Sequence, residues 1–240
     1  MVYYARMREV QTVFAGFSSE MIEFFLSLRF NNHLAFFQEH QEAYLRAVQQ
    51  PLRLFAEAMA DTMLEIDPQM DVRPARVVSR IRRDTRFTNN KDPFRDHMWL
   101  SWRHAGEARM ASVGMYWEVS PEGTHWGFGL YSDNKPIMES VRRRICSQPQ
   151  EFLALEAACD VPERFVLQGD AYKRLPIPAE LPEALHALYR KKSFYYENCA
   201  RPDDFDSLFF DRIHQRLRED FLRIAPLYRW LRGLVNELAL

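Results

Sequence analysis

Residues 111–131 read ASVGMYWEVSPEGTHWGFGLY, and this stretch decides the fold class of the chain. Apolar side chains recur at every second position from Ala111 to Val119, which predicts a β-strand with one buried face. The turn signal Pro121-Glu122-Gly123 follows, and residues 125–131 return as a second strand. The stretch therefore predicts an antiparallel β-hairpin.

Further strand patterns on either side extend this hairpin into a sheet. Residues 97–103 alternate between polar and apolar side chains, and residues 164–167 suit one more short strand. Residues 77–84 alternate as well, so that Ile81 and Arg83 would share one face of a strand. We expect these segments to form an antiparallel meander.

Helical patterns fill most of the remaining chain. Ser18 suits an N-cap, the pair Asn31-Asn32 suits a break, and Asp67-Pro68 suits the end of the front helices. A later helix is predicted from Pro182 through Lys192, and Pro226 is predicted to begin the last helix. Apolar stripes predict three more helices, at residues 136–145, 150–159 and 204–217.

A sheet that lies between helices from both ends of the chain is typical of the α+β class. The sequence contains no repeat, low-complexity tract or linker. We therefore expect a single α+β domain over residues 1–240, with a small antiparallel sheet flanked by N- and C-terminal helices.

The charge balance limits the classes of partner. The chain has 240 residues, with 32 Lys and Arg against 33 Asp and Glu, which leaves a formal net charge of −1. Because proteins that grip duplex nucleic acid by charge carry a basic excess, any preference for an anion must be local. Arg6, Arg8 and Glu9 interrupt any leader-like segment, and no apolar run approaches the ~20 residues that span a bilayer. We expect a cytoplasmic protein without a nucleic-acid or membrane partner, and the sequence carries no signal for an oligomeric state.

Neither a metal nor a cofactor is predicted. Cys146, Cys159 and Cys199 form no C-x-x-C pair, and the histidines are scattered along the chain. A dinucleotide fingerprint, a Walker loop and the common catalytic motifs are all absent from the sequence. We expect reduced, structural thiols, no metal site and no cofactor.

The stretch RIRRDTRFTNNKDPFR, residues 80–95, is the strongest candidate for a functional site. Guanidinium and ammonium groups are abundant donors for a planar or tetrahedral anion. One hypothesis is that the cations converge on a phosphate or carboxylate, with Asp84 orienting the arginines; these cations are Arg80, Arg83, Arg86 and Lys91. The alternative is a structural network in which the cations pair with acidic neighbours, namely Asp84, Asp92, Asp96 or Glu118.

Two further features of the sequence bear on such a site. Gly127 and Gly129 lie in a strand pattern, where a glycine marks a bulge or a close approach of another backbone. The alternative is that backbone amides at these glycines, just before the next predicted helix, face an anion. Core packing is the plainer account of the large aromatic rings, and only those that flank the arginines, Phe87 and Phe94, are candidates for contact with a ligand. The run Arg142-Arg143-Arg144 would widen the basic patch only if the fold brings it close.

Several blocks of the chain resemble the bacterial and fungal family DUF2461, whose members are uncharacterised. The blocks are Phe17 with Glu20, Asn31-Asn32 with Phe36-Phe37 and Tyr44, the arginine stretch from Arg80 to Phe94, Tyr116 with Ser120-Pro121-Glu122 and residues 127–131, Lys173-Arg174 with Pro176, and Pro226 to Leu231. The chain departs from the family in two places. It has Gly127-Phe128-Gly129 where three glycines are usual, and residues 177–182 replace a Gly-Tyr and Asp-His-Pro pattern. The resemblance implies a similar mixed fold and a cytoplasmic setting, and it implies no activity.

Three functions remain open on these grounds. The first is a binding module for a phosphorylated or carboxylated small molecule at residues 80–91. The second is an enzyme that uses the same anion pocket, with Asp84 or a histidine as the acid–base group, although cations around Asp84 would depress its pKa and weaken it as a base. The third is an interaction scaffold in which the arginines are purely structural.

Overall fold

The computed structural model describes residues 14–86, 89–107, 112–201 and 203–238. Within these residues, six strands form one antiparallel sheet in the order β1-β2-β3-β4-β6-β5. The strands are β1 (Met70–Asp71), β2 (Met98–His104), β3 (Gly114–Ser120), β4 (Gly123–Leu130), β5 (Phe165–Gln168) and β6 (Phe194–Asn198).

Helices precede, interrupt and follow the sheet in the chain. They are α1 (Ser19–Phe30), α2 (Leu34–Glu39), α3 (Gln41–Tyr44), α4 (Gln50–Ala58), α5 (Ala60–Ile66), α6 (Pro74–Val77), α7 (Lys135–Ser147), α8 (Pro149–Ala158), α9 (His186–Tyr189), α10 (Asp204–Ser207) and α11 (Arg212–Leu238). A π-helical segment, Leu45–Gln49, joins α3 to α4, and a 3₁₀ turn, Glu183–Leu185, precedes α9. The predicted α+β class is confirmed.

The predicted hairpin is formed by β3 and β4. Their register pairs Trp117 with Trp126 and Met115 with Phe128, and all four of these side chains are buried. The alternation that predicted a strand with one buried face is therefore confirmed along the described part of this stretch. Ala111, the first position of the predicted alternation, lies outside the described residues, as do residues 1–13 and Phe87.

Elements from both ends of the chain cover the same face of the sheet. Phe17, just before α1, stacks on Trp117 with ring centroids 5.3 Å apart. From the other end, Phe221 and Tyr228 of α11 contact Trp102 of β2 and Phe128 of β4, respectively. These contacts join one hydrophobic core cluster. Of the described helices, the short α6 lies beside β2 toward the opposite face, where its Arg76 lines a cavity together with Trp99 and Arg103. We call that face the open face; its side chains include Trp99, Ser101, Arg103, Tyr116 and Glu118, which are half-buried.

Residues 77–84 do not form the regular strand that the alternation predicts. Pro74 begins the short helix α6, which ends at Val77. The chain then makes only isolated bridges, from Val78 to Leu100 and from Arg82 to Phe94. The second bridge cannot extend past Arg82 because Pro93, whose carbonyl accepts from the Arg83 amide, has no N–H to return. The arginines therefore follow an irregular segment beside the edge of β2.

Two helix predictions in the C-terminal half are also corrected. The stretch from Pro182 through Lys192 forms only a 3₁₀ turn and the short α9, and the aromatic residues that follow it form β6. Pro226 lies inside the 27-residue α11 rather than at its start, and α10 is separate from α11. A long helix tolerates this proline because it loses one hydrogen bond while its apolar stripe, with Phe221 and Leu227 buried on either side, continues across it.

None of the described helices combines the length and the apolar composition that crossing a bilayer requires.

Candidate functional site

Two adjoining cavities lie at the open face. The first, which we call the arginine cavity, has a volume of about 550 Å³, and its lining includes Arg76, Arg80, Arg82, Arg83, Asp84, Arg95, Trp99 and Arg103. The second, the sheet-face cavity, has a volume of about 610 Å³, and its lining includes Trp99, Arg103, Ser112, Tyr116, Glu118, Tyr131, Tyr195 and Glu197. Trp99 and Arg103 of β2 belong to both linings.

The segment that carries the arginines is held by Phe94. This side chain is fully buried and stacks on Phe37 with ring centroids 4.2 Å apart. Asn32 brackets the Phe94 backbone, because its side-chain oxygen accepts from the Phe94 amide and its side-chain nitrogen donates to the Phe94 carbonyl, both at 3.0 Å. The predicted break at Asn31-Asn32 thus also positions the site. The expectation that Phe94 contacts a ligand is wrong, since its ring is a core anchor.

Arg95 fixes the path of the segment itself. Its Nη1 donates to the carbonyl oxygens of Arg80 and Arg82, at 2.8 and 2.5 Å. Its guanidinium group lies over the ring of Trp99, 4.9 Å from the centroid. Arg95 therefore serves a structural role that holds Arg80 and Arg82 beside β2.

Positive charge in the arginine cavity exceeds the negative charge around it. Arg80, Arg82 and Arg83 form no ion pair with any acidic side chain among the described residues. Asp84 is the one carboxylate in the described lining, and it accepts from Arg86 Nε and Nη2 at 3.0 and 2.7 Å. The Nε–H of Arg83 is buried and finds no acceptor within the part of the chain that the structure describes.

Asp84 is ionised and accepts hydrogen bonds from Arg86. Hydrogen bonds from the Arg86 side chain and backbone hold the pKa of Asp84 at about 2. Such a carboxylate remains charged across the neutral range and holds protons weakly, which makes it a poor general base.

The alternative of a structural network, in which the cations pair with acidic neighbours, agrees with the structure only in part. Arg86 pairs with Asp84, as that alternative requires. Asp96 instead pairs with Arg29 at 2.5 Å and with His97, and both partners lie outside the arginine cavity lining. Among the described residues, Arg80, Arg82 and Arg83 are thus not paired with the acidic residues that the sequence offered.

The remaining candidate residues lie apart from the cavity. Lys91 donates to the carbonyl of Thr85 at 2.9 Å, and neither Lys91 nor Arg86 is part of the described lining. Arg142 donates to the carbonyls of Tyr189 and Lys191, so its run of arginines does not widen the basic patch.

Gly127 and Gly129 are explained by the close approach of β6. A Cβ on Gly127 would lie 1.8 Å from the carbonyl oxygen of Tyr196, and a Cβ on Gly129 would lie 2.4 Å from that of Phe194. Neither glycine lines the arginine cavity. Their positions match the close-approach interpretation of a glycine in a strand.

The sheet-face cavity contains a hydrogen-bonded tyrosine and two carboxyl groups. Tyr116 of β3 and Glu197 of β6 both pair with Gly127 of β4, which lies between them. The Tyr116 hydroxyl donates to Glu197 Oε2 at 2.6 Å across this bare position. Burial raises the pKa of Tyr116 well above its ordinary value, so the hydroxyl stays a donor.

Glu118 is a carboxyl group of this cavity whose pKa is shifted by burial. Burial raises the pKa of Glu118 above its ordinary value, and the charge of Glu197 adds to that effect, whereas His97 and His125 oppose it. The group is thus protonated to a larger extent near neutrality than an exposed glutamate.

The sequence reasoning missed the sheet-face residues as a site. Tyr116 and Glu118 occupy the polar positions of an alternating strand, where a solvated face is the ordinary expectation. Tyr195 and Glu197 were hidden because β6 itself was not predicted. The available signal was the combination of aromatic and acidic residues on one strand face.

Two histidines near β2 contact different carboxylates. His104 Nδ1 lies 3.2 Å from Asp67, whereas His97 Nδ1 lies 3.1 Å from Asp96. No group of three or more His, Cys, Asp or Glu side chains within the described ranges is arranged to hold a metal ion.

Comparisons with known proteins place the chain in a family. No curated protein matches it at a significant level. The family model described as "Conserved hypothetical protein (DUF2461)" matches residues 20–230, a range that includes the arginine segment and all strands described above. The chain belongs to the DUF2461 family of conserved hypothetical proteins.

Proposed function

We propose that this protein binds an anionic small molecule, phosphorylated or carboxylated, in the arginine cavity. One observation carries the proposal: Arg80, Arg82 and Arg83 line a single cavity, and none of them forms an ion pair with an acidic side chain among the described residues.

The electrostatics of this arrangement favour an anion. Like charges held close to one another repel, and a cavity lined by one sign of charge concentrates counter-ions. A planar guanidinium group binds a phosphate or carboxylate through two parallel hydrogen bonds. The buried Nε–H of Arg83 adds a donor whose lack of an acceptor costs about 1–3 kcal/mol. A bound anion would offset both costs.

The size of the cavity favours a small molecule. Sites for small ligands have volumes of roughly 300–1,000 Å³, and the arginine cavity has about 550 Å³. The formal net charge of −1 argues against a nucleic-acid backbone as the partner.

The other two functions are supported less well. An enzyme with Asp84 as its base is disfavoured because Asp84 is tied to Arg86 and has a pKa of about 2. A scaffold role fits Arg95, which donates to two carbonyls, but Arg80 and Arg83 form no comparable ion pair among the described residues.

A thermal denaturation experiment tests the proposal. Phosphate, pyrophosphate, sulfate and citrate are added to the wild-type protein and to the double variant Arg80→Ala/Arg83→Ala. A ligand at 100 times its Kd stabilises the folded state by about 2.7 kcal/mol, which raises the Tm of a chain of this size by roughly 5–10 °C. We expect this shift in the wild type for at least one of these anions, and its loss in the double variant.

The matched control is Arg46→Ala. Arg46 forms an exposed ion pair with Glu20, so this variant loses a positive charge without touching the cavity and should keep the shift. An unchanged Tm in the wild type with all four anions, or an equal shift in the double variant, would overturn the proposal.

A further inference from the structure

We propose that the sheet-face cavity is a second subsite of the same ligand site, and that it takes a hydroxylated sugar ring whose phosphate lies in the arginine cavity. This inference rests on the proposed function, because the arginine cavity supplies the phosphate subsite. It adds the class of ligand, which is a phosphorylated sugar, either free or as the ribose phosphate of a nucleotide.

The two cavities form a continuous surface. Trp99 and Arg103 line both of them and project from the same face of β2. The two residues are four positions apart, which corresponds to roughly 13 Å along a strand. A ligand can therefore extend from one cavity into the other along β2 without crossing the sheet.

The carboxyl groups of the sheet-face cavity suit hydroxyl donors. Glu118 and Glu197 belong to different strands, and both line this cavity. Hydrogen bonds from hydroxyl groups to carboxylates are short and strong. Glu197 already accepts from Tyr116 at 2.6 Å, and because an ionised carboxylate has about four lone-pair sites it can accept further bonds.

Ser112 gives an independent sign of a missing polar partner. Its side chain is 4% exposed and lines the sheet-face cavity. Its Oγ is buried and has no hydrogen-bond partner in the described part of the chain. Because buried polar groups in native proteins are nearly always paired, a ligand hydroxyl is a natural partner for this group.

Aromatic side chains supply an apolar surface beside these polar groups. Tyr131 is 44% exposed, and its ring centroid lies 4.9 Å from that of Tyr116 and 5.1 Å from that of Tyr195. Small-ligand sites combine aromatic surface with a few placed polar groups. This combination fits a ring with an apolar face and a rim of hydroxyls.

An aliphatic chain or an amine attached to the phosphate would fit the sheet-face cavity less well than a sugar ring does. An aliphatic chain would bury Glu118 and Ser112 against apolar groups, which is costly for polar side chains. A cationic amine would suit the carboxyl groups, but Arg103 in the same lining would repel it. A neutral hydroxylated ring can pair with the polar side chains and carries no charge for Arg103 to repel.

Calorimetric titration of the full-length protein tests the inference. The probes are inorganic phosphate, ribose 5-phosphate, AMP and unphosphorylated ribose. We expect ribose 5-phosphate or AMP to bind at least about tenfold more tightly than inorganic phosphate, which corresponds to one or two good hydrogen bonds. Ribose without phosphate should bind more weakly than either phosphorylated probe.

Variants assign that advantage to the sheet-face cavity. Glu118→Ala and Ser112→Ala should each remove most of the advantage of the sugar phosphate while leaving the affinity for inorganic phosphate unchanged. Arg80→Ala/Arg83→Ala should weaken all phosphorylated probes, and Arg46→Ala should weaken none. If Glu118→Ala does not fold, Ser112→Ala alone decides, since it removes a single hydroxyl.

The outcomes separate this inference from the proposed function. Equal affinity for phosphate and for both sugar phosphates, or an advantage that survives in Ser112→Ala, overturns the sugar subsite and leaves anion binding standing. Absence of binding by every phosphorylated probe overturns both. A larger advantage for AMP than for ribose 5-phosphate supports the inference and identifies the nucleotide as the source of the sugar phosphate; the reverse identifies the free sugar phosphate.

Discussion

At the scale of single residues, the close contact between β4 and β6 leaves no space for a side chain at Gly127. We predict that Gly127→Ala destabilises the fold by about 3 kcal/mol or more, because overpacking a close contact has costs of this order and a Cβ would lie 1.8 Å from the Tyr196 oxygen. The free energy of unfolding, measured by chemical denaturation, checks this.

The control for that substitution is Gly233→Ala. Gly233 lies inside α11, and a Cβ there meets nothing within 4 Å. Alanine is favoured over glycine in a helix by up to about 1 kcal/mol, so we expect this variant to be slightly more stable. Equal effects of the two substitutions would show that β6 does not approach β4 as described.

Glu118 gives a prediction about pH. Because its pKa is raised in the folded protein, the folded state loses stability as the pH rises and the carboxyl ionises. Glu118→Gln removes that loss, so the variant should be more stable than the wild type near neutral pH. The difference should vanish below the ordinary pKa of 4.5, where both side chains are neutral. Denaturation midpoints measured from pH 4 to pH 8 test this, and a difference that grows toward low pH would contradict it.

At the same scale, the sequence indicated some of the residues that line the two cavities and gave no signal for others. Local charge density singled out Arg80, Arg83 and Asp84, which line one cavity. Lys91 was grouped with them by proximity in the chain, but its amine turns back to the carbonyl of Thr85. Glu197 could not be placed, because its role depends on a strand pairing distant in sequence.

At the scale of elements, a buried carboxylate anchors α11 to the sheet. Asp220 is 2% exposed and accepts hydrogen bonds from the indole of Trp126 in β4 and from the guanidinium groups of Arg164 and Arg201. Because removing one partner of a buried charge network leaves the others uncompensated, we predict that Asp220→Ala costs about 3–5 kcal/mol.

The neighbouring residue supplies a matched control for that prediction. Glu219 binds the same Arg164 at 3.0 Å, but its side chain is 62% exposed. An exposed ion pair contributes at most about 1 kcal/mol, so Glu219→Ala should have little effect on the free energy of unfolding. Urea titration of both variants and the wild type measures the two losses. Similar losses in both variants would mean that burial does not set the strength of this anchor.

The periodicity of apolar residues predicted the elements that local sequence determines. It failed where contacts between residues distant in sequence determine the secondary structure. The alternation in β3, the turn that returns the chain into β4 and the break at Asn31-Asn32 are local signals, and all three are confirmed. Residues 78–84 alternate in the same way but make only isolated bridges, and pairing cannot continue at Arg83 because Pro93 opposite it has no N–H. The continuation of α11 through Pro226 likewise depends on core packing that no local pattern shows.

At the scale of the whole molecule, the two faces of the sheet differ in what they carry. Helices from both ends of the chain pack on one face of the sheet through Trp117, Trp102 and Phe128. The other face carries the polar positions of β2 and β3, and the arginine segment runs beside it. A formal net charge of −1 hides this local excess of cations, so composition alone did not reveal where an anion would bind.

The position of a bound oxyanion would show whether the arginine cavity binds anions. Crystals grown or soaked in selenate are measured at the selenium absorption edge, where anomalous scattering marks the anion. We expect a peak in the arginine cavity, within hydrogen-bonding distance of the Arg80 and Arg83 guanidinium groups. A cavity without a peak, with those guanidinium groups bound to carboxylates of the protein itself, would contradict this expectation.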